Sequence, residues 1–199
     1  MGLPEKKRPH YTYADYATWD DDKRWELIDG EPCAMAAPSV DHQTIIGELY
    51  GQLWQFLKDK PCRVFVAPLD VLLNAEDVDD SDVFQPDIVV ICDRSKIIKK
   101  GCNGAPDMVI EILSPTTARR DRIKKFNKYL HAGVREYWIV DPDEKTIQVF
   151  ILENGRYIAT GYAPAAEGEN EEKSGNDTIS VHILEGCTIN LLDVFKNVG

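Results

Sequence analysis

Two apolar runs constrain the fold of this 199-residue chain more than any other feature. They read DIVVI (87–91) and DMVIEIL (107–113), and the alternating positions of each run are apolar on both sides of the strand. Strands of this kind are typical of the centre of a sheet that is covered on both faces. The sequence therefore predicts a central β-sheet between layers of helix.

Helices are predicted on either side of these runs. Residues 40–59 repeat apolar side chains such as Ile45 and Leu49 at helical spacing, which predicts an amphipathic helix. Residues 118–132 predict a second helix, with Gly133 at the C-terminal cap. Strands are predicted at 63–73, 84–92, 107–114 and 136–141.

The order of these elements indicates a mixed sheet. The strands on either side of the second helix form a βαβ unit, which is parallel and right-handed, whereas the earlier strands are close in sequence and antiparallel. Asp29-Gly30 predicts a hairpin, and a second hairpin surrounds residues 153–155. Residues 94–105 read as a basic loop. The predicted fold class is α/β (α+β), a mixed central sheet flanked by helices with added antiparallel hairpins.

The distribution of charge is uneven. The net charge of −11 argues against non-specific binding of nucleic acid. Residues 76–82 and 167–177 are strongly acidic and predict solvated loops. Residues 119–128 carry six basic residues against one aspartate, a basic stripe that could follow phosphates.

Membrane spans, secretory signals and cysteine motifs bear on the cellular context and the domain organisation. No apolar run approaches the ~18 residues of a membrane span, and residues 1–13 lack the apolar region of a secretory signal. The five cysteines form no CxxC pair, which predicts scattered buried thiols and no disulfide set in a cytoplasmic protein. We expect a flexible arm over 1–11 and a single domain over 12–199.

Asp87 and Glu111 are unusual because each lies in one of the apolar runs. If the two strands are neighbours, they lie about 4.8 Å apart, and the two carboxylates can share a cation such as Mg²⁺ or Mn²⁺. Asp107 is a poorer partner, since it lies about 13 Å from Glu111 along the same strand, and we interpret it as a strand-start residue. The structural alternative is that Asp87 and Glu111 are buried acids paired to arginine or to backbone amides.

These residues lie within longer motifs that resemble a known family. Pro86-Asp87, Glu111 and the strings ELIDGE, QPDIVV, VIEILSPTT and ARRDRIKKFNKYLHAGVREYWIVDP are similar to a large bacterial family of restriction-endonuclease-like proteins, a domain of unknown function within the PD-(D/E)XK nuclease superfamily. The resemblance covers about residues 12–195. It implies a restriction-endonuclease-like core with the order helix, three strands, helix, strand.

One position departs from the superfamily motif. The motif places lysine two residues after the acid, where this chain has Leu113. The resemblance implies that Lys125, on the following helix, replaces that lysine, with Arg122 and Tyr129 in support. It also implies supporting roles for three residues earlier in the chain. These are Glu26 at the first hairpin, His42 at the start of the first helix, either as a metal ligand or as a capping residue, and Glu48 in the middle of that helix.

The resemblance implies metal-dependent hydrolysis of phosphodiester bonds. Asp87, Glu111 and the carbonyl of Ile112 would hold Mg²⁺ or Mn²⁺, and Lys125 would orient water or stabilise developing charge. The expected partner is double-stranded DNA, and a homodimer would suit double-strand cleavage. The alternative is a catalytically inactive binding or regulatory protein with the same fold, which the acidic net charge and the displaced lysine favour.

Overall fold

The computed structural model describes residues 9–73, 82–114, 120–162 and 177–199, with the side chains of its second long helix described from Ile123 onwards. At its centre is a six-stranded sheet with the spatial order β11-β10-β9-β8-β5-β3. Its strands are β3 (Arg63–Val66), β5 (Ile88–Ile91), β8 (Met108–Ile112), β9 (Glu136–Asp141), β10 (Thr146–Glu153) and β11 (Arg156–Tyr162).

Four helices and seven short strands complete the described part of the chain. The helices are α1 (Tyr13–Tyr16), α2 (Val40–Leu57), α3 (Arg120–Ala132) and α4 (Leu191–Phe195). The short strands are β1 (Trp25–Ile28), β2 (Glu31–Ala34), β4 (Asp70–Leu72), β6 (Ile97–Ile98), β7 (Gly101–Asn103), β12 (Thr178–Ser180) and β13 (Thr188–Asn190).

The central sheet is mixed, as predicted. β8 and β9 pair in parallel across the crossover helix α3, whereas β3 with β5, β5 with β8 and the β9-β10-β11 strands pair antiparallel. A parallel pair needs a long connection, and α3 supplies it. The predicted fold class, a mixed sheet flanked by helices with added antiparallel hairpins, is therefore confirmed.

Apolar side chains cover both faces of the central strands. On one face, Ile88 and Ile110 belong to a core that includes Leu49 of α2. On the other face, Val89 and Val109 belong to a second core that includes Tyr129 of α3. Because α2 and α3 lie on opposite faces, side chains of both helices can reach the same end of the sheet.

Two predicted turns have the expected backbone. Asp29 and Gly30, between β1 and β2, have φ angles of 54° and 70°, which is the pairing that a two-residue hairpin of this kind requires. Gly133 follows α3 with φ of 85°, a left-handed conformation that closes a helix at low steric cost. The local sequence therefore determined where β1 turns and where α3 ends.

The prediction for residues 94–105 was wrong in part. A 3₁₀ turn over Arg94–Lys96 is followed by β6 and β7, and these strands form a small sheet with β4. These strands are only two and three residues long, so the segment lacks the run of alternating residues from which a strand can be recognised.

The prediction of unpaired cysteines was also wrong. Cys62 and Cys92 form a disulfide, while Cys33, Cys102 and Cys187 are thiols. The pairing of Arg63 with Ile91 in the β3-β5 ladder places the next residues, Cys62 and Cys92, opposite each other. Their sequence separation of 30 residues conceals this proximity.

Other expectations fall partly outside the described residues. Of the acidic segment 76–82 only Asp82 is described, and it is 5% exposed, so the expectation of a solvated residue was wrong there. Segment 167–177 is described at residue 177 alone, and the predicted arm only from residue 9. Within that arm, the backbone N–H of Tyr11 donates to the carbonyl of Gly30. None of the described helices is long and apolar enough to cross a membrane.

Candidate active site

Asp87 and Glu111 lie opposite each other at one end of the central sheet. β5 and β8 pair Ile88 with Ile110, and continuing this antiparallel register places residue 87 opposite residue 111. The carboxylate of Asp87 also crosses to the next position, since Oδ2 accepts a hydrogen bond of 2.7 Å from the backbone N–H of Ile112. The two acids predicted from separate strands therefore share one location.

Lys125 reaches this location from α3. Its Nζ lies 2.8 Å from Oε1 of Glu26 and 3.1 Å from Oε1 of Glu111, and the residue is only 8% exposed. One turn further along the helix, the Tyr129 hydroxyl donates to the same Glu111 oxygen at 2.7 Å. Lys125, which the resemblance implies as the replacement for the lysine missing at position 113, is therefore in contact with Glu111.

His42 contributes from the opposite face of the sheet. Its backbone N–H donates to the Ser39 hydroxyl, so Ser39 caps α2. The His42 ring instead contacts Asp87, with Nε2 at 3.3 Å from Oδ2. The interpretation of His42 as a capping residue was therefore wrong, because the cap is Ser39 and the imidazole is directed to the acid.

Burial and neighbouring charges perturb the protonation of this cluster. The pKa of Glu111 is raised to about 7. Burial is the main cause, and the negative charges of Asp87 and Glu26 add to it, while Lys125 and the hydrogen bond from Tyr129 oppose the rise. Burial alone would lower the pKa of Lys125, but the Glu111 and Glu26 carboxylates outweigh it and raise that pKa. Lys125 is therefore an ammonium ion at neutral pH.

The pKa values of His42 and Tyr129, which contact Asp87 and Glu111, are also raised. Burial lowers the pKa of His42, yet the hydrogen bond to Asp87 and the charge of that carboxylate outweigh burial, and the net pKa is raised. Burial, followed by the charges of Glu111 and Glu26, raises the pKa of Tyr129 well above its usual value. Tyr129 is therefore a hydroxyl donor to Glu111 throughout the physiological range.

A polar relay behind Glu26 was missed by sequence reasoning. The backbone N–H of Gln85 donates to Oε1 of Glu26 at 2.8 Å. The side-chain amide of Gln85 donates to Asp70 and to the Tyr16 hydroxyl, and its carbonyl accepts from Nε of Arg24. Gln85 directly precedes the Pro86-Asp87 motif, which was the available signal, but its partners are 15 to 69 positions away in the sequence.

The cluster opens into a pocket of about 350 Å³. Its described lining includes the predicted residues Glu26, His42, Asp87, Glu111, Ile112 and Lys125. Glu48 is not among the residues of α2 that line this pocket, so the structure separates it from the other candidates. The side chain of Arg122 lies outside the described residues.

The basic stripe predicted over residues 119–128 is largely neutralised where its side chains are described. Lys124 pairs with Asp29 at 3.3 Å, and Lys128 pairs with Asp29 at 2.7 Å and with Asp82 at 2.6 Å. Lys125 is held by the site carboxylates. These lysines are occupied by acids of the same chain, so the interpretation as a free phosphate-following surface was wrong for them.

The residues lining the pocket are suited to a hard divalent cation. Carboxylate oxygens of Asp87 and Glu111, an imidazole and the residue that supplies the predicted carbonyl, Ile112, lie together. Among the described residues no three His, Cys, Asp or Glu side chains converge as a ready metal cage. Mg²⁺ commonly uses one or two carboxylates and retains water, so the Asp87–Glu111 pair fits this mode of binding.

Comparison with known proteins identifies the family to which the chain belongs. A family model named Uma2 and described as "Putative restriction endonuclease" matches residues 13–191. The chain is 26% identical over 150 residues to "Uncharacterized protein slr1290" of Synechocystis sp. (strain ATCC 27184 / PCC 6803 / Kazusa), a match that covers 74% of this chain and 77% of that protein.

A solved structure shares the fold. The crystal structure of a "putative nuclease belonging to DUF820" from Anabaena variabilis ATCC 29413 superposes with a TM-score of 0.71. The match covers 93% of this chain and 97% of that chain, with 22% sequence identity. At this identity the likeness concerns the fold, whereas the family match spans nearly the whole sequence. The chain belongs to the Uma2 family of restriction-endonuclease-like, nuclease-related proteins.

Proposed function

We propose that this protein is a metal-dependent endonuclease that hydrolyses phosphodiester bonds in double-stranded DNA, with Mg²⁺ or Mn²⁺ as cofactor. The observation that carries the proposal is the convergence of three buried or nearly buried groups in one pocket. Asp87 and Glu111 face each other across two strands, and Lys125 lies 3.1 Å from Glu111. Family membership supports a nuclease-related activity.

The chain's own groups divide into those that hold a cation and those that act on the phosphate. Asp87, Glu111 and the carbonyl of Ile112 would hold the cation. When bound, it would polarise the phosphate and lower the pKa of a coordinated water. His42 orients Asp87 through its Nε2, and Tyr129 orients Glu111 through its hydroxyl. Both supporting contacts add to the restriction of these carboxylates by the Ile112 N–H and by Lys125.

Lys125 acts as a charge and not as a base in this proposal. Its pKa is raised by the two carboxylates beside it, so it does not accept a proton at neutral pH. A fixed ammonium ion in a buried site stabilises negative charge that develops on the phosphate oxygens. Contact with both Glu26 and Glu111 keeps the ammonium at one position.

Plasmid nicking in Mg²⁺ or Mn²⁺ tests the proposal. Asp87→Asn and Lys125→Met remove one charged group each and are expected to reduce the nicking rate by about 10²–10³-fold, the scale seen when a preorganised electrostatic group is lost. Glu48→Gln is the matched control, because it removes a carboxylate of α2 that does not line the pocket. Equal rates for wild type, Asp87→Asn and Glu48→Gln would contradict the assignment.

The second candidate is a binding or regulatory protein that does not turn over substrate. It is favoured by Lys125, which already pairs with both Glu26 and Glu111, and by the lack of a three-ligand cage among described residues. Calorimetric titration with Mn²⁺ separates the candidates. Equally weak binding by wild type and Glu111→Ala would favour the second, whereas loss of binding in the variant would favour the first.

A homodimer is part of the proposal for double-strand cleavage. Two copies acting together produce linear plasmid with little nicked intermediate, whereas a single copy accumulates nicked circles. Light scattering of the purified protein, alone and with DNA, measures the oligomeric state directly.

A further inference from the structure

Two buried side-chain nitrogens, in residues that line the pocket, lack a hydrogen-bond partner. They are Nη2 of Arg24 and Nδ1 of His42, and in the described part of the chain they are the buried side-chain nitrogens and oxygens left without one. Both residues line the pocket that contains Asp87 and Glu111. An unsatisfied buried group costs about 1–3 kcal/mol, and in a residue that lines a pocket a bound ligand can supply the missing partner.

The guanidinium of Arg24 is held in place by the relay behind Glu26. Nε of Arg24 donates to the side-chain carbonyl of Gln85 at 3.1 Å, and the backbone N–H of Gln85 donates to Glu26 at 2.8 Å. Arg24 directly precedes β1, which carries Glu26 on the same hairpin. The position of the guanidinium is therefore tied to that of the site carboxylates.

Charge explains what kind of ligand Arg24 would take. The described cations near the site, Lys124, Lys125 and Lys128, are each paired with carboxylates of the chain. Arg24 forms no such pair with a described carboxylate, although it lines a pocket that holds Glu26, Asp87 and Glu111. A guanidinium has a planar set of donors that matches phosphate oxygens.

A second pocket adjoins the first at Arg24. Its volume is about 200 Å³, and Arg24 lines both pockets. The second pocket also has Lys23 and Lys100 in its lining, together with the acids Asp21 and Asp70. Asp70 accepts from the side-chain amide of Gln85 and from the Tyr16 hydroxyl, and Asp21 accepts from the indole of Trp25. Arg24 is therefore shared between the pocket of the site carboxylates and its neighbour.

We propose that Arg24 binds a phosphate of the nucleic-acid backbone next to the phosphate that is hydrolysed, and so sets the position of the strand in the site. The inference rests on the proposed nuclease function for its substrate class. Arg24 is a substrate-binding group with no part in moving a proton, so its loss raises KM more than it lowers kcat.

Fluorescence anisotropy with a short labelled DNA duplex in Ca²⁺, at several KCl concentrations, tests the inference. Arg24→Gln is expected to weaken binding about tenfold and to reduce the slope of log affinity against log salt by about 1, because one phosphate contact is lost. Arg24→Lys retains the charge without the planar donors and is expected to weaken binding while keeping the slope. Arg156→Gln, which removes an exposed arginine from β11 at the far edge of the sheet, is the matched control.

Thermal unfolding of each variant separates a binding role from a structural one. Arg24→Gln also removes the partner of Gln85, so its unfolding temperature is expected to fall, but a structural role would not change the salt slope. If Arg24→Gln does not fold, Arg24→Lys carries the test. Unchanged affinity of that folded variant, or weaker binding that accompanies a lowered unfolding temperature, overturns the inference, and weaker binding at the wild-type unfolding temperature supports it.

The outcomes also distinguish this inference from the proposed function. Wild type that cleaves DNA, with Arg24→Gln equal to wild type in affinity and slope, overturns the role of Arg24 and leaves the nuclease intact. Wild type that binds but does not cleave, with binding lost in Arg24→Gln, supports the role of Arg24 and overturns the nuclease. Wild type that neither binds nor cleaves overturns both.

Discussion

The two ends of β8 place carboxylates in contrasting surroundings. Near the start of the strand, Asp107 accepts hydrogen bonds from the backbone N–H of Cys92 and from Arg135, and Glu136, fully buried, accepts from the indole of Trp138 and the backbone N–H of Ile183. These acids are satisfied by neutral donors and by an exposed arginine of the same chain. Such contacts are sufficient to account for a structural role.

At the other end, the carboxylates are arranged around a pocket. Glu111 and Glu26 share one lysine ammonium, Asp87 shares an oxygen between His42 and the backbone of Ile112, and two polar atoms of the lining lack partners. At the start of the strand the carboxylates and their donors form a closed set, whereas at the other end Arg24 and His42, which line the same pocket as the carboxylates, leave nitrogens unpartnered and make the set open. The open set, more than burial itself, marks the candidate site.

The largest expected effect that follows from this contrast is on activity. Glu111→Gln preserves the shape of the side chain and removes its charge, and we expect DNA cleavage to fall by about 10²–10³-fold. Stability is expected to change little, since the amide oxygen can still accept from Lys125 and Tyr129 and Glu26 still pairs with the ammonium ion. Initial nicking rates and urea denaturation measure the two quantities. A stability loss without an activity loss would place Glu111 with the structural acids.

Near the start of β8, where the hydrogen-bond set is closed, we expect a loss of stability without a loss of activity. Glu136→Ala leaves the indole N–H of Trp138 and the backbone N–H of Ile183 without acceptors, and we expect a loss of roughly 2–4 kcal/mol in the free energy of unfolding. The cleavage rate per folded molecule is expected to match wild type. Urea denaturation followed by Trp fluorescence gives the first value, and rates corrected for the folded fraction give the second.

A smaller effect is expected for the lysines of α3 that lie outside the pocket. Lys128→Met leaves Asp82, whose side chain is 7% exposed, without its ammonium partner, and we expect a loss of about 1–2 kcal/mol. Lys124→Met breaks only a pair with Asp29, whose side chain is 52% exposed, so the expected change is within about 0.5 kcal/mol. Equal losses in chemical denaturation would show that burial of the partner does not control the effect.

A different kind of effect is expected in how stability depends on pH. The pKa of Glu111 is raised to about 7 in the folded protein, so between its unfolded value and 7 the folded state holds a proton that the unfolded state has released. Stability of the metal-free protein therefore decreases as pH rises from about 5 to about 7. His42, whose pKa is raised from 6.5, acts in the same direction at pH values above 6.5.

Glu111→Gln removes the larger part of this dependence. Urea midpoints of wild type and variant in EDTA, compared across that pH range, are expected to show a flatter profile for the variant. Asp107→Asn is the control, because it lies at the closed end of the same strand. Parallel pH profiles for wild type and Glu111→Gln would contradict the raised pKa of Glu111 that we attribute to burial.

Much of the fold was predictable because it depends on local periodicity. The helix predicted over 40–59 is α2 over Val40–Leu57, and the strand predicted over 136–141 is β9 with the same bounds. The apolar runs at 87–91 and 107–113 supplied the two central strands, and their register brings Asp87 and Glu111 together. By contrast, Lys125 was selected through family resemblance, since helical spacing alone does not distinguish it from Lys124 or Lys128.

The contacts that define the site and its surroundings were not predictable from spacing. The Cys62–Cys92 disulfide, the pairing of α3 lysines with Asp29 and Asp82, and the relay from Arg24 through Gln85 to Glu26 join residues tens of positions apart. Each contact depends on which strands become neighbours and on how far α3 lies from the β1-β2 hairpin. No local pattern carries that information.

The sequence by itself determined the element types, the apolar faces and the two carboxylates that interrupt them, because these depend on alternation and helical repeat within a few residues. The tertiary structure decided which charges would be cancelled and which donors would remain. It directed Lys124 and Lys128 to acids of their own chain and left Nη2 of Arg24 without a partner. The physical reason is that electrostatic pairing depends on distance in space, which only the packing of helix against sheet establishes.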